Sequence, residues 1–297
     1  MKNKLGFSQK HPFIFGFSLI IAAVVLISLT MAAFTYFLQD DELNLGGAEA
    51  GIVNVSGTIT NSENVVAWIN KLSRKEEIKG VIVRINSPGG VVAPSQEIYQ
   101  SLKRISQKKP VIVSMQSVAA SGGYYIACAG DTIVANPGSI TGSIGVKAEL
   151  TNIKKLLKKI GVKKQAIVSG ELKDAGSPTK ELTTEEKEYF QKLVDNLYKQ
   201  FKTTVVKNRG LSENQVEKLA DGRAFTGEQA EEIGLVDVLG GMNEAKEELK
   251  KMTGLRGKIS FIEGPKREKS LLEWLIGPLN ELSVIKEQIA GRWYFKY

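Results

Sequence analysis

Gly80–Gly90 reads GVIVRINSPGG, a β-branched run that a Ser-Pro-Gly-Gly turn brings to a stop. A short apolar run of that kind, bounded by turn residues, predicts a buried strand. Working outward, GIVNVSG (Gly51–Gly57) is strand-like and NVVAWINKLSR (Asn64–Arg74) has helical spacing. Downstream, Gln96–Ile105 is helical in pattern and VIVSM (Val111–Met115) predicts a second buried strand. Strands alternating with helices predict parallel βαβ units, an α/β fold with right-handed crossovers. Thr151–Lys164 (TNIKKLLKKIGVKK) reads as an amphipathic basic helix, either a solvated face or a contact for anionic lipid or an acidic partner. Thr183–Val206 reads as a long helix whose opening TTEE supplies a cap and dipole support.

The chain has 297 residues, 42% of them hydrophobic and 24% charged, with a formal net charge of +8. That balance excludes a disordered chain, and the length allows one or two domains. Cys128 is the single cysteine, which excludes an intrachain disulfide framework and a Cys-rich zinc site. His11 is the single histidine.

No charge falls between His11 and Asp40, and Phe13–Leu38 exceeds the roughly 20 apolar residues that span a bilayer. A cleaved signal peptide competes with this reading, but its apolar core is shorter, about 7–15 residues, and AFTYF offers no convincing cleavage site. Lys2, Lys4 and Lys10 precede the span, and Asp40, Asp41 and Glu42 follow it. The expected order is therefore a cytoplasmic N-terminus (1–12), a transmembrane anchor (13–38), a linker (39–50) and a domain on the outer side of the cytoplasmic membrane. The flanking charges cancel, so the whole +8 belongs to the outer part. It suits an anionic bilayer surface, or simply a soluble basic one; nucleic acid is a poor partner at that location.

Two loops carry candidate chemistry. NSPGG (Asn86–Gly90) follows a buried strand, and adjacent glycines let backbone N–H groups face a ligand; a plain Pro-Gly turn reads the same way. In SVAASGGYYIACAGD (Ser117–Asp131), Ser121 precedes Gly-Gly and an apolar helical run. A serine there is either a helix N-cap or an exposed nucleophile. With the only imidazole placed across the membrane, a Ser-His-Asp triad is nearly excluded, and the base is a lysine or a carboxylate. A lysine has an unperturbed pKa of about 10.4 and needs desolvation to act as a base near neutrality. Cys128 reads as buried packing in preference to a catalytic thiol.

SPGG, then ASGGYYIA, then NPGSITGSIGV (Asn136–Val146), then GRAFTGEQAEEIGLVD (Gly222–Asp237) resemble the signal peptide peptidase A family of serine peptidases in its short form. The resemblance covers roughly residues 50–250. It implies a fold of ClpP/crotonase-like repeated ββα units, which the transmembrane helix read above precedes, with the peptidase domain expected over 51–267. The last 30 residues, with apolar EWLIGPL, read as a C-terminal tail over 268–297. It also implies a Ser-Lys dyad, with Ser121 as nucleophile and Lys173, in SGELKDAGSP, as base; Lys180 is the nearest rival. Ser143 matches the hydroxyl that holds the lysine amine. Gly89 or Gly90, with Gly122, match the oxyanion-binding backbone donors. No metal or organic cofactor is implied. The implied substrates are cleaved signal peptides or other apolar peptides, met at the membrane by a homo-oligomeric ring. Two rivals stand beside this reading: a related Ser-Lys peptidase that regulates membrane proteins, and a non-catalytic crotonase-like scaffold. A CoA-dependent enzyme fits poorly with an outward-facing domain. The closing GRWYFKY could dock on a neighbour or occupy the site.

Overall fold

The computed structural model describes residues 11–39, 49–265 and 295–297. The flanking Lys2, Lys4, Lys10, Asp40, Asp41 and Glu42, most of the NLGGAE linker and residues 268–294 of the tail lie outside the described residues. The chain divides into two units, Met1–Gly47 and Ala48–Tyr297.

The first unit holds helix α1 (Pro12–Gln39), roughly 42 Å long at the α-helical rise, against a hydrocarbon thickness of about 30 Å. It is apolar, and its side chains over Phe13–Met31 are exposed almost throughout. Two of its hydroxyls bond to its own backbone: Ser18 Oγ donates to Phe15 O at 2.8 Å, and Thr30 Oγ1 donates to Leu26 O at 2.9 Å.

The second unit is built on a mostly parallel sheet. β1 (Ala50–Ser56), α2 (Glu63–Arg74), β2 (Gly80–Ser87), α3 (Val92–Ser106) and β3 (Val111–Ala120) alternate as the sequence predicts, and β1, β2 and β3 pair in parallel. Val81, Val83 and Ile85 enter one core cluster and Ile82 the other; Val111, Val113 and Ile112 divide the same way. Successive side chains of a strand point to opposite faces, so a sheet buried on both faces needs an unbroken apolar run.

β3 is longer than its apolar run and forks the sheet. After α4 (Gly122–Ala127), β4 (Thr132–Ala135) pairs with Ile112–Met115, while β5 (Ile140–Gly142) pairs with Val118–Ala120. The fork carries Ser121 just past the end of β3. Next come β6 (Lys147–Ala148) and α5 (Lys154–Lys159), much shorter than the expected basic helix. Its apolar side is uncovered, with Leu156 and Ile160 both more than half exposed. α6 (Thr184–Arg209) opens with a capping box between Thr183 and Glu186, as TTEE predicts. α7 (Glu213–Leu219), β7 (Ala224–Thr226), α8 (Gly227–Glu232), β8 (Val238–Leu239), α9 (Met242–Thr253) and β9 (Phe261–Gly264) follow. β7 runs antiparallel to β5, and β9 parallel to β1. β10 (Phe295–Lys296) forms a separate ribbon with β6.

One ion pair ties α6 to the sheet. Arg209 grips Asp237 through Nη1 at 3.0 Å and Nη2 at 2.5 Å, and Asp237 Oδ2 also accepts from Ile133 N at 2.7 Å. The Arg209 side chain is nearly buried. Removing the carboxylate strands that charge, so Asp237→Ala should lose about 3 kcal/mol of stability, and Asp237→Asn, which keeps an acceptor, clearly less. Urea unfolding of the two variants beside the wild type checks the order; midpoints equal to the wild type's would show that the pair does not hold the fold.

Candidate active site

Ser121 sits between β3 and α4 with φ 57° and ψ −120°, a backbone region that L-residues rarely occupy. Two hydrogen bonds hold it there: Ser121 N donates to Gly142 O at 2.8 Å, and Ser121 O accepts from Tyr125 N at 2.9 Å. Such strain costs on the order of 1–3 kcal/mol and persists only where the surroundings impose it. Ser121 is the N-cap residue of α4, as the sequence allows, but its side chain makes no capping hydrogen bond. The residue is 6% exposed.

The Ser87–Gly90 loop lies directly against it. A Cβ on Gly89 (φ +103°) would stand 2.8 Å from Ser121 Cβ and 2.8 Å from Gly122 N. One on Gly90 would stand 2.2 Å from Ile59 O, so neither position admits a side chain as built. Gly89 N donates to Ser87 Oγ at 3.1 Å. Gly90 N and Gly122 N are neighbours, since a Cβ on Gly122 would lie 3.3 Å from Gly90 N. Among the described residues neither of these two N–H groups makes a hydrogen bond. Two free donors therefore meet beside a strained serine, an arrangement that can take a developing oxyanion.

Ser143 also has positive φ, 50°, and its N donates to Arg223 O at 2.8 Å. It follows Gly142, whose carbonyl holds Ser121 N, so the two serines lie on adjoining turns. Lys173 sits exposed in a 3-10 turn, Glu171–Asp174, and no hydrogen bond joins it to Ser121 among the described residues. Lys180 is already engaged, 2.6 Å from Glu186 and 3.7 Å from Asp174, and the Glu186 hydrogen bond raises its pKa. That is the wrong direction for a proton acceptor. Cys128 is buried, which pushes its thiol up to about 12 and keeps it protonated.

Tyr125, one turn beyond Ser121, was not singled out by the sequence reading. Its ring packs edge-on to Tyr99 at 5.1 Å and to Phe201 at 5.2 Å, and its hydroxyl accepts from Thr204 Oγ1 at 3.1 Å. The paired tyrosines in SGGYY were the available signal. Tyr124 is wholly buried and donates to Leu235 O at 3.0 Å, which anchors α4.

The family model of peptidase family S49 matches residues 103–256. The candidate protease slr0021 of Synechocystis sp. is 40% identical over 242 residues, which cover 80% of this chain and 86% of that protein. The candidate signal peptide peptidase SppA of Enterococcus faecium is 39% identical over 192 residues, 64% of this chain and 56% of that protein. The chloroplastic serine protease SPPA of Arabidopsis thaliana is 34% identical over 230 residues; these cover 76% of this chain but 34% of that longer protein.

Proposed function

The chain belongs to peptidase family S49, and on that premise we propose that it is a membrane-anchored serine endopeptidase in which Ser121 is the nucleophile and Lys173 the general base. The observation that carries this reading is the strained, nearly buried Ser121 beside the free N–H groups of Gly90 and Gly122. Gly89 is a weaker donor than Gly90, because its N–H is committed to Ser87 Oγ.

In the proposed reaction, neutral Lys173 accepts the Ser121 hydroxyl proton as Oγ bonds to the scissile carbonyl carbon. The Gly90 and Gly122 N–H groups hold the oxyanion. The lysinium then returns its proton to the leaving amine as the C–N bond breaks. Water, deprotonated by the same lysine, cleaves the acyl ester and regenerates Ser121. Ser143 positions the lysine amine. Lys180 is a poor alternative, because Glu186 stabilises its charged form.

A single copy leaves Lys173 in open solvent, which supports a ring of copies that brings one chain's lysine turn to the next chain's serine. The forked sheet supports the ClpP/crotonase-like reading for residues 51–267. Helix α1 supports an anchor over 13–38. The lysines before the span and the acidic residues after it are the ground for proposing the peptidase domain on the outer side, with apolar remnants of signal peptides as the substrates.

A fluorophosphonate probe tests the assignment on the full chain in detergent. The expected result is one adduct per site, mapped by mass spectrometry to the tryptic peptide that contains Ser121, together with loss of hydrolysis of a quenched signal-peptide substrate. A protein that hydrolyses this substrate yet carries its adduct on another residue would overturn the nucleophile.

A further inference from the structure

Residues 151–170 hold six lysines and no acidic side chain, so six of the net eight positive charges fall in this one stretch. Lys154 stands 3.7 Å from Glu181, and the other five make no ion pair among the described residues. The local structure gains nothing from the crowding. Lys154 with Lys158, and Lys155 with Lys159, are like-charge pairs four residues apart on α5, a spacing at which they destabilise a helix. Lys154 and Lys155 also stand at the N-terminal end of α5, where the helix dipole disfavours a cation.

The same stretch leaves its apolar residues in the open. Ile153, Leu156, Leu157 and Ile160 recur at helical spacing, so they share one side of α5 and its caps while the lysines take the other. Leu156 is 57% exposed and Ile160 62%; past the turn at Gly161, Ile167 is 97% exposed. The base of the segment is fixed, because Ile153 N donates to Pro178 O at 2.7 Å and Asn152 Nδ2 donates to Lys180 O at 3.0 Å.

Unpaired lysines beside exposed aliphatic side chains suit an anionic bilayer surface. There the ammonium groups meet headgroup phosphates, and the aliphatic side chains enter the acyl boundary about 5–10 Å deep. A second copy of this segment would bring lysines against lysines. Chain length favours lipid as well, since only residues 40–49 separate α1 from β1, and ten residues reach at most about 35 Å. An anchored chain therefore keeps its second unit within reach of a bilayer.

We propose that residues 151–168 are a docking element for anionic phospholipid, with the lysines on the headgroups and Leu156, Ile160 and Ile167 in the acyl boundary. The proposal goes beyond the peptidase reading and rests on the anchored reading of α1, which flotation of the full chain with neutral vesicles tests separately.

The experiment uses the full chain in lipid nanodiscs of phosphatidylcholine, alone or mixed equally with phosphatidylglycerol. Ile167→Cys and, in a second protein, Leu156→Cys carry an environment-sensitive fluorophore; Cys128 is buried and stays unlabelled. The quencher is a nitroxide near the head of the lipid acyl chain, so only a label that enters lipid is quenched. Both labels should shift to the blue and lose fluorescence to the nitroxide in discs that contain phosphatidylglycerol. Neither should do so in phosphatidylcholine alone, or in molar salt, where screening falls to about 3 Å. A label at exposed Asn214→Cys should stay unquenched throughout. Each lysine changed to glutamine should lower the ratio of docked to undocked segment about fivefold, so changing Lys155, Lys158, Lys159, Lys163 and Lys164 together should abolish the quenching. An unchanged urea midpoint in that variant confirms that its fold is intact. Quenching that is absent from the anionic discs, equal in both lipids, or as strong at position 214 would overturn the proposal. So would a blue shift without quenching, which would mean that another copy covers the segment.

Discussion

Ser121→Ala is expected to lower kcat for a signal-peptide substrate by a factor on the order of 10⁶, the scale on which serine peptidases lose activity with their nucleophile. Any small nucleophile-free residue should do the same, so Ser121→Gly is equally inert. The two variants should differ in stability. Ser121 has φ 57° and ψ −120°, and alanine keeps the Cβ that makes this conformation costly. Glycine adopts it freely, although it also loses more unfolded-state entropy on folding. The net expectation is that Ser121→Gly is more stable than Ser121→Ala by about 1 kcal/mol, read as a higher urea midpoint at unchanged slope. The strained backbone sets Ser121 Cβ against the Gly89 turn, beside the Gly90 and Gly122 N–H groups. Equal midpoints would mean that the site is not strained, and residual activity in both variants would remove Ser121 from the chemistry.

The parts of this molecule that are local in cause were legible from residue order. GVIVRIN and VIVSM read as buried strands because a sheet covered on both faces demands unbroken apolar runs, and both are strands. TTEE read as a helix start because the capping box is made within four residues, and Thr183 and Glu186 make it. What failed was non-local. β3 continues through Gln116 and Ser117, which no apolar pattern marks, because two different strands pair with its two halves. α3 starts at Val92, earlier than the pattern beginning at Gln96, with Pro94 tolerated in its first turn. The basic segment after Thr151 had the composition of a longer helix, yet α5 is short and its apolar side has no covering partner in the single copy. Gln96 Nε2 donates to the Tyr297 hydroxyl across 201 positions, a distance over which periodicity carries no information. Ser121, Gly89, Gly90 and Gly122 were visible as motifs, and their mutual approach supports the roles proposed for them. Lys173 was visible only through resemblance, since nothing in SGELKDAGSP distinguishes it physically from other exposed lysines.

That difference makes Lys173→Ala the sharper test of the site. A protonated lysine has no lone pair to accept the serine proton, so the base must be neutral when it acts, and desolvation favours that form. In one copy Lys173 is exposed, so the dehydrated environment has to come from another surface. Lys173→Ala should lose about 10⁴-fold in kcat while folding normally, because an exposed turn residue contributes little to stability. Lys173→Arg should be as inert, since a guanidinium stays charged. If the lysine serves a neighbouring copy, mixing Ser121→Ala with Lys173→Ala should create sites with both groups intact. In a closed ring with head-to-tail contacts, random mixing of equal amounts restores roughly a quarter of the wild-type rate. Subunit exchange, followed by energy transfer between differently labelled variants, supplies the control. Recovery near that value would establish a dyad shared between copies. Exchange without recovery would place the base within the same chain as its serine, and the turn at Glu171–Asp174 would then have to move to reach Ser121.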